Sequence, residues 1–485
     1  QLAQRGRALP VTARGGGSNT SGAAIGSGLL LLFTAHMNKI VTLNTKRRFI
    51  TLQPGIIYGA LQQTLKSHGL FLPPYPASQD YATLGGSIAS NAIGEKSVKY
   101  GSTGDYVQSL KVVLSNGEII ETGPLSKKEL NHKLGLQSLE GEVYRLLDTM
   151  LEENAELIDR SRHQVKARHN AAGYNLFEVK KKGEFDLTPL LIGSQGTLGI
   201  ITEATLDIAK YNPQTVLALI SLEELRDLED ILPAILELKP STLDMLSRAA
   251  IEQILALGPH QLSGVLARPQ ALLHLFVEFD DAKKATQMKK IKSLQKIAQK
   301  VGVWSEIYKD TDDQQRLRKL RDSVSTLMQP QGKSKAVPVA EDICVPPDKL
   351  AEFLVEVETV YSEVGLPASF WGQAGSGVVR MQPALDLSQT GDRQKLFKIQ
   401  NGLYPAAVRL GGSISAAAGD GRIRAPYISL QYGEELHRLM LRIKEIFDPL
   451  GILNPGVKTA TPEDVKNLMR SDYSLSNFYN HLPRS

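Results

Sequence analysis

At 485 residues and 53.0 kDa the chain exceeds what one ordinary hydrophobic core organises, so two or more domains are expected. With 42% hydrophobic and 22% charged residues it has the composition of a soluble globular protein, and its apolar run Leu29 to Phe33 is far short of the roughly 20 residues a spanning helix needs, so it reads as a buried strand. The net charge of +5 is modest and the Lys and Arg residues read as spread along the chain, which argues against a nucleic-acid partner, while the single Cys344 excludes an internal disulfide, a thiolate-ligated iron–sulfur cluster and a zinc finger.

The chain starts at Gln1 with no cationic, apolar leader, and a cytoplasmic protein is expected, with peripheral membrane association allowed. To about residue 210 it is rich in glycine and short β-branched runs. Ala8 to Ala13 reads as a strand, and Tyr58 to His68 and Glu140 to Ile158 carry helix-period apolar positions. Lys111 to Leu114 and Glu118 to Glu121 flank Asn116-Gly117, a hairpin signal. From about Asn212 helices at Leu222 to Leu238, Ala282 to Val301 and Asp348 to Val364 alternate with strands at Val216 to Ile220, Leu272 to Phe279 and Val303 to Ile307. A last helix, Glu434 to Phe447, ends at Asp448-Pro449-Leu450-Gly451, and the tail from Thr461 is polar.

The most informative segment is Arg14-Gly15-Gly16-Gly17-Ser18-Asn19-Thr20-Ser21-Gly22, directly after the first strand. Consecutive glycines let main chain approach a pyrophosphate and turn several N–H groups toward it, although a ligand-free tight turn has the same composition. The segment is not G-x-G-x-x-G before a helix, which disfavours a nicotinamide-binding fold. Further along come Pro73-Pro74-Tyr75-Pro76, Ala82-Thr83-Leu84-Gly85-Gly86, Ser90-Asn91-Ala92-Ile93-Gly94, Lys99-Tyr100-Gly101 and Ile192-Gly193-Ser194-Gln195-Gly196-Thr197-Leu198-Gly199-Ile200-Ile201.

In type and order these segments resemble the FAD domain of the vanillyl-alcohol-oxidase, or p-cresol-methylhydroxylase (PCMH), superfamily. Within that superfamily the chain most resembles the D-lactate dehydrogenase and glycolate oxidase group, from about Leu9 through Lys458. The resemblance implies an α+β fold: a two-lobed PCMH-type FAD-binding domain over 1–210, then a ferredoxin-like substrate (cap) domain over 211–460, with 440–460 returning to the flavin and 461–485 as tail. By this resemblance Arg14 and Gly15, Gly16, Gly17, Ser18 and Asn19 cradle the diphosphate of FAD. Pro76, Thr83, Gly85, Gly86, Ser90, Asn91, Gly94 and Gly101 line the flavin, Gly196, Gly199 and Ile201 contact the adenosine side, and Asn454 sits by the ring system. Relatives often carry Glu where Gln195 stands. No His or Cys lies between Arg14 and Gly22, so the flavin is expected to be non-covalent. The family's usual βα portion ahead of the glycine loop is reduced here to Gln1 to Arg7, so the chain reads as truncated at its start.

In the second half Leu317-Arg318-Lys319-Leu320-Arg321, Glu341 to Pro346, Gly411-Gly412-Ser413-Ile414-Ser415 and Leu453-Asn454-Pro455-Gly456 resemble the same group's cap domain, in which Arg321 would hold a substrate carboxylate. An arginine suits that role through two parallel charged hydrogen bonds, although the spacing alone equally fits one charge on a solvated helix face. Relatives have H-x-G-D-G-N-x-H where this chain has Gln373 to Arg380, and G-G-S-I-S-G-E-H-G where it has Gly411 to Gly419. Gln373, Arg380, Ala417 and Ala418 thus stand in place of metal ligands and a base histidine, and no metal is expected. No histidine lies between Leu275 and Leu436, and His274, in an apolar run, reads as a core residue.

The catalytic candidates are Arg321, Gln373 and Arg380, with Tyr404, Asp420 and Tyr427 near the motifs as weaker candidates for a base. The implied function is oxidation of a small hydroxylated anion by hydride transfer to flavin N5; the alternative is a flavin-binding protein without the parental turnover. The implied partners are a small-molecule substrate and an electron acceptor, which could be oxygen, a quinone or a carrier protein, with a homodimer allowed and no transmembrane segment.

Overall fold

A computed structural model describes residue 6 and residues 9–181, 183–256, 264–324 and 334–469. Most of the segment ahead of the first strand, the tail from 470, His260 and His481 lie outside the described residues. Contacts divide the chain into two units, residues 1–214 with 413–460, and residues 215–412 with 461–485. The chain therefore rejoins its first unit from Ser413. The start of the polar tail forms a helix, Pro462–Leu468, nucleated by a capping box between Thr461 and Asp464.

In the first unit β1 (Val11–Arg14) pairs in parallel with β2 (Leu29–Leu32). The expectation of a buried strand is half right. Leu29 to Leu32 do form a strand, but they are 51%, 47%, 37% and 55% exposed, because β2 has one neighbour and neither of its faces is covered among the described residues. A second, antiparallel sheet runs in the order β3 (Ile40–Asn44), β4 (Phe49–Leu52), β7 (Ile200–Asp207), β5 (Val107–Val113), β6 (Ile119–Thr122). The hairpin β5–β6 turns at Asn116-Gly117, with Gly117 at φ +92°.

Helices α1 (Tyr58–Lys66) and α2 (Leu84–Ser90) follow β4, and α3 (Leu139–Glu153) follows β6. The helix read through Ile158 breaks at Asn154, whose side-chain amide donates to the Met150 carbonyl; a short helix, Ala155–Ser161, continues. Helix Glu434–Phe447 packs against α3.

The second unit is built on a seven-stranded antiparallel sheet. Its order is β11 (Trp304–Tyr308), β8 (Val216–Leu222), β10 (Leu273–Phe279), β9 (Thr242–Ser247), β13 (Phe370–Gln373), β14 (Val378–Met381), β12 (Ile343–Cys344). β8, β9 and β10 are buried at every position, so both faces of the sheet are covered. Leu217, Leu219, Leu246 and Phe276 meet α5 (Arg248–Ala256) and α7 (Thr311–Asp322) on one face. Helices α4 (Arg226–Glu237), α6 (Lys284–Val301), α8 (Leu350–Glu363) and α9 (Thr390–Arg409) pack in sequence on one another, α6 on α4, α4 on α8, α8 on α9.

The basic residues are less evenly spread than their total suggests. Lys283, Lys284, Lys289, Lys290, Lys292, Lys296 and Lys300 fall on and beside α6 with no acidic residue from 283 to 300, so the rest of the chain is net negative by two.

On α7 the Arg318 guanidinium donates to Glu278 of β10, which is 3% exposed, and to the Thr215 hydroxyl. Removing one partner of a buried pair leaves the other charge desolvated. Arg318→Ala is therefore expected to destabilise the second unit by about 3 kcal/mol in denaturant unfolding, with flavin content unchanged before the transition.

Candidate functional site

The glycine loop leaves β1 and lies directly on the main chain of Tyr81 and Ala82 and the side chain of Thr83. A Cβ on Gly16 would sit 1.8 Å from the Tyr81 carbonyl oxygen, and one on Gly15 would sit 2.0 Å from the Thr83 hydroxyl. Gly17, at φ +72°, packs under the Arg14 guanidinium, which donates to the Ala24 carbonyl at 2.7 Å. With the loop in this conformation, no protein acceptor among the described residues takes the backbone N–H of Gly15, Gly16, Gly17, Ser18 or Asn19. Successive N–H groups of this kind form an anion-binding concavity.

The Asn19 side chain holds the loop. Its Oδ1 accepts from the Ser21 N–H, the Ser21 hydroxyl and the Ala23 N–H, and its Nδ2 donates to the Ala418 carbonyl at 2.8 Å. Gln195, in the left-handed region at φ +57°, bridges the same elements. Its amide nitrogen donates to Ala418 O at 3.0 Å and its oxygen accepts from the Gly421 N–H at 2.8 Å. Asn454, fully buried at φ +43°, accepts from Thr12 of β1 and donates to the Ala23 and Gln195 carbonyls. Its side chain, expected beside the ring system, is thus occupied as a clasp between β1, the glycine loop and the Gln195 turn.

Several other glycines are fixed by protein contacts. A Cβ would sit 2.4 Å from the Pro54 side chain at Gly85, 1.8 Å from the Tyr75 carbonyl at Gly94, close to Pro76, and 2.4 Å from Val112 at Gly199. Thr83 caps α2 by accepting the Gly86 N–H, and Ser90 donates back to the Gly86 carbonyl. Asn91 ends α2 at φ +51° and accepts the Gly104 N–H; Gly101 and Gly196 take φ +81° and +74°, and Ile201 pairs with Val112 in the sheet. All of these residues lie in the first unit.

Sequence reasoning missed a buried ion pair in the same unit. Lys458, its side chain with no exposure, donates to Asp420 at 2.7 Å and to the Gly173 carbonyl at 2.6 Å, and Asp420 accepts the Gly173 N–H at 2.7 Å. Asp420 is therefore an internal counter-ion, and its position between Gly419 and Gly421 is the only sequence signal for it. Among the other weak base candidates, Tyr427 is pushed up to about 12 by burial, and Tyr404, in the second unit, is buried and donates to the Val339 carbonyl. His274 is the core histidine it was read as: fully buried, 3.1 Å from the Ser221 hydroxyl and pushed down to about 4 by burial.

The three catalytic candidates fall in the second unit, on α7, β13 and β14. Arg321 places Nε and NH2 on one oxygen of Asp322, at 2.9 and 2.8 Å, and NH1 3.5 Å from Asp244 of β9. Arg380 contacts the fully buried Asp342 at 3.0 Å and Glu341 at 4.0 Å. The Gln373 side-chain oxygen is buried and has no hydrogen-bond partner among the described residues. No group of three or more His, Cys, Asp or Glu side chains converges as a metal site among the described residues.

The comparisons with known proteins agree with this geometry. The family model for FAD linked oxidases, C-terminal domain, matches residues 212–457, and that for the FAD binding domain matches residues 3–123. The chain belongs to the FAD-linked oxidase family. A D-lactate dehydrogenase of Archaeoglobus fulgidus is 30% identical over 461 residues, 93% of this chain and 86% of the relative. A D-2-hydroxyglutarate dehydrogenase of Pantoea ananatis is also 30% identical, over 95% of this chain but only 46% of the relative, so this FAD-linked oxidase spans about half the length of such relatives. In fold it is similar to 4-ethylphenol oxidase from Gulosibacter chungangensis (TM-score 0.66, 16% identity, 96% of this chain and 87% of that one) and to p-cresol methylhydroxylase (TM-score 0.65, 15% identity, 95% and 86%). FAD is its cofactor, and the row of acceptor-free N–H groups from Gly15 to Asn19 suits the diphosphate of that group.

Overpacking a site of this kind costs about 1–3 kcal/mol, or roughly 5- to 150-fold in affinity. Gly16→Ala meets main chain and is expected to lose flavin by that factor on gel filtration. Gly15→Ala meets the Thr83 side chain, so the double variant with Thr83→Ala should regain part of the flavin, whereas Gly16→Ala with Thr83→Ala should not.

Proposed function

We propose that the protein is a FAD-dependent oxidoreductase of the 2-hydroxy acid dehydrogenase type that oxidises a small hydroxylated anion without a catalytic metal. The observation that carries the reading is the glycine loop, whose donors suit a diphosphate and whose segment, Arg14 to Gly22, has no His or Cys able to bond a flavin. The dehydrogenase names of two family relatives support the substrate class. Bound FAD supplies the acceptor for the hydride that leaves the hydroxyl-bearing carbon.

In this reading the second unit supplies the substrate-recognising groups. Arg321 takes the substrate carboxylate by exchanging Asp322, a 58% exposed side chain, while Asp244, 7% exposed, keeps the guanidinium in place. Arg380 is a fixed cation, held from one side by Asp342 and Glu341 and with its own side chain 22% exposed, so it stabilises negative charge developing on the substrate oxygen. Gln373 supplies a neutral amide where relatives carry a ligating histidine, and Arg380, Ala417 and Ala418 replace the remaining metal and base positions, so the chemistry assigned to this chain rests on hydrogen bonds and guanidinium charge. Electrons pass on to oxygen, a quinone or a carrier protein.

One observation favours a second reading, a flavin-binding chain without turnover: each candidate arginine already faces two carboxylates. Anaerobic addition of D-2-hydroxy acids to the flavin-loaded protein separates the two. Bleaching of the flavin absorbance is expected; an intact oxidised spectrum across hydroxy acids, alditols and amino acids, with FAD retained, would establish the second reading. Asp322→Asn weakens the internal competitor for Arg321, and because an exposed pair is worth about 0.2–1 kcal/mol, KM for the hydroxy acid is expected to fall up to about five-fold with kcat little changed.

A further inference from the structure

Helix α6 carries a charge pattern that the fold does not use. Its inner face, Gln287, Ile291, Leu294 and Ala298, is buried, and every other lysine-bearing position except Lys290 is exposed. Lys290 is consumed internally, 2.9 Å from Asp281 and with its ammonium over the Phe279 ring. The other six, Lys283, Lys284, Lys289, Lys292, Lys296 and Lys300, make no ion pair among the described residues. Lys289, Lys292, Lys296 and Lys300 follow one another at spacings of three and four residues, so they form a single stripe about 16 Å long at 1.5 Å per residue.

The pattern opposes the helix's own stability. Like charges at i,i+4, as in Lys292 with Lys296 and Lys296 with Lys300, destabilise a helix by a few tenths of a kcal/mol each, and Lys283 and Lys284 sit at the end where the helix dipole disfavours cations. No Asp or Glu between 283 and 300 offsets them. Outside this segment the chain is net negative by two, so the seven lysines from 283 to 300 exceed the chain's whole excess of positive charge.

We propose that the α6 stripe docks the protein on an anionic phospholipid surface. Three observations select that occupant. The stripe is lysine alone, with no arginine and no aromatic residue on α6, and it thereby lacks the groups that read base edges or stack on bases. Protein interfaces enrich Tyr, Trp, Arg and Met and deplete Lys, which disfavours a protein partner. No large hydrophobic side chain is exposed on α6, so the contact is electrostatic and does not insert, and among the described residues no helix is long and apolar enough to cross a membrane. Hydrated ammonium groups on flexible stems suit a layer of headgroup phosphates and carboxylates, at roughly five-fold in partitioning for each lysine brought to the surface.

The test is co-sedimentation of the full chain with vesicles of phosphatidylcholine alone and of phosphatidylcholine with phosphatidylserine, at low and high salt. Binding to the anionic vesicles alone, lost at high salt, is expected. The variant Lys289→Gln, Lys292→Gln, Lys296→Gln, Lys300→Gln should weaken it by roughly several hundred-fold, with flavin content kept and thermal stability equal or higher. A control with the same charge change on the first unit, Lys46→Gln, Lys127→Gln, Lys128→Gln, Lys166→Gln, should bind much like the parent chain. Equal binding to neutral and anionic vesicles would overturn the proposal, as would equal loss in the control variant. Retention of a double-stranded oligonucleotide without vesicle binding would assign the stripe to nucleic acid instead and overturn it too.

Discussion

The main chain of Gly16 lies against that of Tyr81 and Ala82, and Gly15 lies against the Thr83 side chain, with no room for a Cβ at either position, and the conformation of the glycine loop depends on those contacts. The loop holds five consecutive N–H groups in a conformation where no acceptor among the described residues reaches them. Donors of this kind are costly to leave unmet and well suited to an anion. The surrounding polar side chains serve the same geometry: Asn19, Gln195 and Asn454 spend their amides on backbone groups of the loop and its neighbours. A loop held by contacts of this kind has little freedom left to lose on binding an anion.

In the second unit, charge is organised differently. Arg318, Arg321 and Arg380 each meet carboxylates, and Glu278, Asp244 and Asp342 are nearly or fully buried. Buried pairs of this kind contribute position more than net stability. They fix where the guanidinium groups stand and temper their pull on an incoming anion. An arginine with one exposed and one buried carboxylate can exchange the first while the second keeps it in place, which is the arrangement around Arg321.

Local signals were legible in the sequence. The Asn116-Gly117 hairpin, helix Glu434–Phe447 and the alternation of strands and helices after residue 212 follow from turn chemistry and periodicity. The glycine loop was legible as a segment of close main-chain approach, but the need for glycine at 85, 94 and 199 comes from Pro54, Tyr75 and Val112, which tertiary structure alone brings close. The same holds for Asp244, set beside Arg321 by strand pairing across many residues, and for the full occupation of Asn454. The exposure of Leu29 to Leu32 reversed an expectation because an apolar run specifies a strand without specifying its neighbours. The lysine block on α6 was present in the sequence and escaped a reading that weighed total charge over charge in a window.

The central claim is that the diphosphate of FAD is held by the backbone N–H groups of Gly15 to Asn19. Hydrogen exchange of the peptide spanning these residues, compared between the flavin-loaded and flavin-depleted protein, tests it most directly. The account predicts strong protection of these five amides on loading, since no acceptor among the described residues protects them beforehand. Unchanged exchange across Gly15 to Asn19, in a protein that has taken up stoichiometric FAD, would contradict it.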